Sequence, residues 1–138
     1  MREGELMKAL TLWRPWDIAI LQLGKDIENR TWPPPRAIVG QRIALHAAKK
    51  IDSAAERLLS EIAAERGVAF EPCTSIAGAV FATAIVGEPV WESASPWFSG
   101  PVGWPLLDMR PVLDPPIVRG AQGLWTLPAD LLVQEMPK

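Results

Sequence analysis

Apolar and polar positions along the chain switch between a period of two and a period near 3.6, and this switching predicts strands interleaved with helices. Residues 7–13 (Met-Lys-Ala-Leu-Thr-Leu-Trp) read as a first strand. Trp16, Ala19, Ile20 and Leu23 then recur at helical spacing. Pro15 suits the first helical position and Gly24 the stop, so a short helix is expected over 15–23. Asp26 to Trp32 can be extended, and three prolines at 33–35 force a rigid excursion out of any sheet. From Gln41 to Ala47 the pattern alternates, with Ile43, Leu45 and Ala47 on one face and Arg42, Ala44 and His46 on the other.

Residues 52–66 carry the strongest helical signal. Ser53 with Glu56 reads as a capping box, Ala55, Leu58, Leu59 and Ile62 form an apolar stripe, and Gly67 ends the run. Ser75 to Val86 is apolar on both faces and rich in β-branched residues, as a central buried strand requires. Prolines, glycines and serines break 89–103 into a long ordered loop. Trp104–Leu113 and Leu124–Leu127 are further short strands, whose prolines favour sheet edges. Residues 128–135 suit a terminal helix opening on proline. About six short strands with two or three helices among them make an α+β domain, one domain over 1–138, and closing its mixed sheet into a barrel would remove the edges.

Composition changes this picture only by exclusion. The chain of 138 residues is long enough to bury a core without disulfides or metal. The single cysteine, Cys73, rules out an intrachain disulfide and suits a reduced, cytoplasmic setting. One histidine and no CxxC pair leave a structural zinc site short of ligands, and no cofactor is implied. No apolar run approaches a membrane span. The net charge of −2 argues against a protein that coats nucleic acid through many phosphate contacts. The charges are segregated, however. Residues 1–50 hold nine Lys/Arg against five Asp/Glu, and the remainder five against eleven. A small basic pocket on an acidic body follows, and it suits a nucleotide or a short single strand better than a duplex.

The candidate chemistry lies in the same basic half. Within 12–32 stand three tryptophans, a lysine, a glutamate and two arginines. If 26–32 is extended, Asp26, Glu28, Arg30 and Trp32 share a face, and Lys25 sits at the hinge between helix and strand. The alternative for Glu28 and Arg30 is a solvated ion pair of little energetic worth. Trp32 on a charged face favours a ligand, because an indole there can stack on a base. Trp13 is the second stacking candidate, while Trp16 lies on the apolar helix stripe and is assigned to the core. Trp91, Trp97, Trp104 and Trp125 are given packing roles. His46 points with Arg42 and either shares the cleft wall or hydrogen-bonds structurally. Arg119-Gly120-Ala121-Gln122-Gly123 reads as a tight turn whose backbone can approach a ligand closely. Cys73, Ser75 and Thr83 have no base partner in sequence, and no nucleophile elbow or phosphate loop occurs.

Leu10-Thr11-Leu12-Trp13-Arg14-Pro15-Trp16, Gly24-Lys25-Asp26-Ile27-Glu28-Asn29-Arg30-Thr31-Trp32 and Ile43-Ala44-Leu45-His46-Ala47 together resemble the ASCH domain family of the PUA-like superfamily. A Gly-x-Lys-x-x-Glu-x-Arg pattern is that family's signature, and Lys25, Glu28 and Arg30 stand at its lysine, glutamate and arginine positions, with Gly24 directly before Lys25. Gly100-Pro101-x-Gly103-Trp104 and Gly120-x-x-Gly123-Leu124-Trp125 are similar to what larger ASCH-like proteins carry near the C-terminus. The resemblance implies a PUA-like mixed β-barrel of about six short strands with helices at its ends and a cleft beside the helix preceding the signature. Relatives in the superfamily bind RNA or modified bases. Some ASCH-type proteins are amidohydrolases of acetylated cytidine, with the signature lysine catalytic and a threonine three residues after it, and others have been assigned ribonuclease activity. Here that threonine position is Glu28, which can act as a base but not as a hydroxyl nucleophile.

The leading expectation is therefore binding of single-stranded RNA or a modified nucleotide by Trp13, Arg14, Lys25, Glu28, Arg30, Trp32 and His46. Lys25 and Arg30 would meet phosphate or a base oxygen, Glu28 a base amine, and Trp13 and Trp32 the base face. The enzyme alternative is a small hydrolase in which Lys25 is the base or activator and Glu28 a proton shuttle. A third is a protein-interaction module built on the Pro/Trp-rich loop 89–105.

Overall fold

The computed structural model describes residues 6–128, 131 and 133–135. Its elements are β1 (Lys8–Arg14), α1 (Trp16–Gln22), β2 (Ile27–Arg30), β3 (Arg42–Ile51), α2 (Ser53–Arg66), β4 (Val80–Val86), β5 (Val102–Pro111) and β6 (Leu124–Thr126). The six strands form one mixed sheet in the order β2-β5-β4-β3-β1-β6. Only β1 and β3 run parallel. The sheet curls into a half-barrel with two α-helices, an α+β architecture.

The expected closure does not occur. β2 and β6 stand at opposite ends of the strand order and do not pair. Three prolines follow β2 closely, and β6 is only three residues long, so neither end has enough backbone to ladder across the gap.

The alternation read in 41–47 reappears as burial on two faces. Ile43, Leu45 and Ala47 enter the main core with Leu10, Leu12, Phe81, Val86 and Trp104, while Ala44 joins a smaller cluster with Ala9 and Val80. β3 runs on to Ile51, beyond the expected end. β4 is central and buried, but begins at Val80 rather than Ser75. Before it lies a single turn of 3-10 helix over Pro72–Thr74. Ser75 then donates its hydroxyl to Asp17 Oδ2 at 2.7 Å, which ties this segment to α1. Burial pushes the Asp17 carboxyl above its ordinary range, with the Ser75 hydrogen bond opposing.

β5 corrects the assignment of proline-bearing strands to edges, since it lies between β2 and β4. Leu106 N–H donates to Asp26 O, so the neighbouring Pro105 turns its nitrogen away from β2. On its other side Pro105 meets Gly87, just past the end of β4, and offers only its carbonyl to the Gly87 N–H. The missing donor therefore leaves no gap in a ladder.

α1 begins one residue later than expected, with Pro15 at the N-cap. It sends Ile20 into the main core, and Ala19 and Leu23 into a second cluster shared with Leu59, Ala63 and Trp97. α2 contributes Ala55, Leu59 and Ala63, spaced one turn apart, whereas Leu58 is exposed. Gly67 ends α2 in the left-handed conformation. The N-cap is Asp52 rather than the capping box expected at Ser53: its Oδ1 accepts the Ala55 N–H at 3.1 Å. Its Oδ2 accepts the Trp16 indole N–H at 3.2 Å. Asp52→Ala should thus cost about 1 kcal/mol in thermal or urea unfolding and release the Trp16 indole, while Ser53→Ala should stay within about 0.5 kcal/mol.

No terminal helix is seen in the described part of 128–135. Leu131, Val133 and Gln134 have no regular structure, and Glu135 bridges Val112. Residues 129, 130 and 132 lie outside the described residues. Glu135 is drawn to the sheet by Arg110, whose Nη1 donates to its Oε2 at 2.9 Å. No helix among the described residues is long and apolar enough to cross a membrane.

Candidate functional site

A cleft of about 900 Å³ opens along the unclosed side of the half-barrel. β2 supplies Glu28 and Arg30 to it, β1 supplies Thr11 and Trp13, and the end of β3 supplies Lys49 and Lys50. The segment 118–123, leading into β6, completes the wall.

Arg30 spans the gap between the sheet's ends. Thr11 gives its N–H to Gly123 O, after which β6 no longer faces β1, and the free Thr11 carbonyl accepts Arg30 Nη2 at 2.7 Å. The same Nη2 lies 3.1 Å from Glu28 Oε2. One guanidinium thus joins strands that make no ladder. Arg30 Nε is buried without a partner among the described residues.

Lys25 is under the site rather than in it. Gly24, at φ +72°, turns the chain back beneath α1, and Lys25 N–H closes onto Ala19 O. The residue is 5% exposed, and its Nζ donates to Ile27 O at 2.6 Å. Nζ is 3.8 Å from Glu28 Oε1 and 4.8 Å from the Trp16 ring centroid. Burial lowers the Lys25 pKa, with the Glu28 charge opposing. Burial raises that of Glu28, with Lys25 and Arg30 opposing. The Lys25–Glu28–Arg30 triplet is a charge ladder running from the interior to the cleft floor.

Of the tryptophans, Trp13 is 47% exposed and Trp32 36%, and both line the cleft. Lys50 Nζ rests 4.0 Å from the Trp13 ring centroid. Trp32 is held from behind: Trp104 donates its indole N–H to Trp32 O at 2.9 Å and meets its ring edge-on at 4.8 Å. Trp16, assigned to the core by its helical stripe, packs against the second cluster and also lines the cleft. Trp97, Trp104 and Trp125 pack, but Trp91 is 60% exposed.

Two expected ligand contacts take other roles. Arg14 is not among the cleft-lining residues and donates to the end of β3, Nε to Ala48 O and Nη2 to Lys49 O, each at 2.9 Å. It fixes the strand end that carries Lys49 and Lys50. His46 lines the cleft but is committed to a chain of hydrogen bonds. Its Nε2 faces the Val118 carbonyl at 2.9 Å, so that nitrogen donates. Nδ1 lies 3.1 Å from Thr11 Oγ1, which itself accepts the Trp125 indole N–H at 2.8 Å. The Thr11 hydroxyl hydrogen is then directed at Nδ1. Asp26, expected beside Glu28, instead turns outward and accepts the Ser95 hydroxyl. On the odd face of β2, Asn29 accepts Ser99 and Gly100 N–H on Oδ1 and donates Nδ2 to Trp97 O.

Sequence reasoning missed Thr11, Lys49 and Lys50, and it read 119–123 as a tight turn able to approach a ligand without placing it on the same wall as Thr11 and Trp13. The adjacent lysines closing a strand were a visible signal; the wall made by 119–123 was not, because it depends on contacts some seventy residues away in sequence. Gly120 is the tightest of these contacts. A Cβ there would lie 2.6 Å from His46 Cε1 and 2.8 Å from Trp125 Cζ2.

Among the described residues no three His, Cys, Asp or Glu side chains are grouped to hold a metal ion. A scan against protein-family models and a search of curated proteins find no match to the chain.

Proposed function

We propose that the cleft binds single-stranded RNA, or a single modified nucleotide, in the manner the resemblance to ASCH domains of the PUA-like superfamily implies. The observation that carries this reading is the charge of the walls. Arg30, Lys49, Lys50 and Arg119 line the cleft with Glu28 as its one carboxylate among the described residues, in a chain of net charge −2. The accessible indoles of Trp13 and Trp32 stand on the same walls, and a base stacked on such a ring gains about 1–3 kcal/mol. Glu28, held between Lys25 and Arg30, accepts hydrogen bonds from a base amine.

The hydrolase alternative needs Lys25 Nζ at the substrate. That atom is enclosed beneath Glu28 and Trp16 and donates to the Ile27 carbonyl, so binding is the reading the geometry favours. Fluorescence anisotropy with a ten-nucleotide single-stranded RNA tests it. Trp32→Ala should weaken binding by about tenfold or more, and chromatography should reveal no product from the RNA or from N-acetylated cytidine. Affinity unchanged in a Trp13→Ala/Trp32→Ala protein would refute the reading, and turnover would replace binding by catalysis.

A further inference from the structure

The charged groups of the cleft fall into two sets. Glu28 and Arg30 are tied to each other, to Lys25 and to Thr11 O. Neither Lys25 nor Arg30 is therefore free to meet a phosphate as the sequence suggested. Lys49 and Arg119 make no ion pair or side-chain hydrogen bond with any described residue, and Lys50 only rests on the Trp13 ring. These three unpaired cations line one cleft.

The loop beside them is fastened at both ends and unused in the middle. Val118 N–H donates to Gly78 O at 2.9 Å, Val118 O accepts from His46, and Gly123 O accepts from Thr11 at 3.1 Å. Gly120 is seated against His46 and Trp125, where no side chain fits. Between these anchors the backbone N–H groups of residues 119–122 have no acceptor among the described residues. Backbone amides and cations on one anchored wall of the cleft suit an anion.

We propose that Lys49, Lys50, Arg119 and the backbone amides of 119–122 form a phosphate subsite that adjoins the base-facing part of the cleft at Glu28, Trp13 and Trp32, with Lys50 on the Trp13 ring where the two meet. The proposal rests on the nucleotide reading above and assigns the ligand's polarity: phosphate toward the loop before β6, base toward β2. Arg14 is a positioning residue for this subsite, through the carbonyls of Ala48 and Lys49.

Calorimetry on the whole chain with cytidine, adenosine and their 5′- and 3′-monophosphates, and anisotropy with the ten-nucleotide RNA with and without a terminal phosphate, test it. The parent protein should bind a monophosphate about tenfold tighter than its nucleoside. In a Lys49→Gln/Lys50→Gln/Arg119→Gln protein that ratio should fall to about one, and the slope of log affinity against log salt for the RNA should shrink by about two. Arg57→Gln, on α2 away from the cleft, should keep both. If only the terminally phosphorylated RNA loses affinity in the triple variant, the subsite takes a phosphomonoester; if both RNAs do, it takes the backbone diester. A ratio or slope that survives the triple substitution overturns the subsite. So does a parent protein that binds nucleosides and monophosphates equally, although base binding would then stand. If no nucleoside, nucleotide or RNA binds at all, the nucleotide reading itself fails.

Discussion

Glu28→Ala should destabilise the fold by about 3–5 kcal/mol, the usual cost of breaking a buried ion pair by removing one partner. The substitution leaves Lys25 enclosed, with the Ile27 carbonyl, the rings of Trp16 and Trp97 and the charge of Asp26 to stabilise its ammonium. The cost has a ceiling, because the lysine can shed its proton. Its folded pKa already lies below the ordinary 10.5 through burial, and Glu28 is the main influence raising it. Between the folded value and 10.5 the unfolded chain binds the extra proton, so stability rises with pH across that window. Without Glu28 the folded value drops further, and the window widens toward lower pH. Urea midpoints across the alkaline range should therefore climb more steeply for Glu28→Ala than for the parent. Adding Lys25→Met removes the stranded charge and should recover most of the loss and flatten the profile. A single substitution costing under about 1 kcal/mol, or a double with no recovery, would show that the pair does not act as a buried unit.

The second large effect is expected at Trp104, which is fully buried and stands opposite Glu28 in the β2–β5 ladder. Trp104→Ala should cost about 3–5 kcal/mol through the cavity it opens. Trp104→Phe, which keeps a ring but loses the donor to Trp32 O, should cost about 1–2 kcal/mol. The two variants also separate stability from the site. Both free the Trp32 carbonyl, so RNA affinity should fall in the phenylalanine protein although it remains folded. Chemical denaturation with RNA anisotropy on the same samples reads both quantities. Unaltered affinity in Trp104→Phe would mean that Trp32 is positioned by its own chain alone.

What was legible in the sequence was local and periodic. β3 could be read from alternation because each of its faces meets a hydrophobic cluster, and α2 from a stripe ending in a left-handed glycine. Glu28, Arg30 and Trp32 line one cleft, but so does Asn29 from the other face, and Trp32 stands beyond the end of β2, so strand spacing alone does not account for the grouping. Asp26 does not join them, because the loop at Ser95 draws it outward. Lys25 looked like a mobile hinge residue in sequence; the turn at Gly24 folds it inward, and spacing carries no information about such a tuck. Asp52 and Ser53 both offer an oxygen to the same helix terminus, and the choice between them also involves Trp16, which lies far away along the chain. Pro105 shows the limit of a composition rule: a proline is barred from an inner strand only where its nitrogen must donate. Trp16 serves both core and cleft, a double role that a one-face reading of a helix does not allow.

The open half-barrel has a consequence for how copies of the chain treat one another. An unclosed sheet ends in two rows of backbone donors and acceptors, which another molecule can extend. Here one terminal strand has four residues and is soon followed by Pro33-Pro34-Pro35, which offer no amide hydrogen, and the other has three residues. Neither gives an incoming strand enough register to take hold. The gap between the two ends of the sheet is thus poorly suited to strand addition.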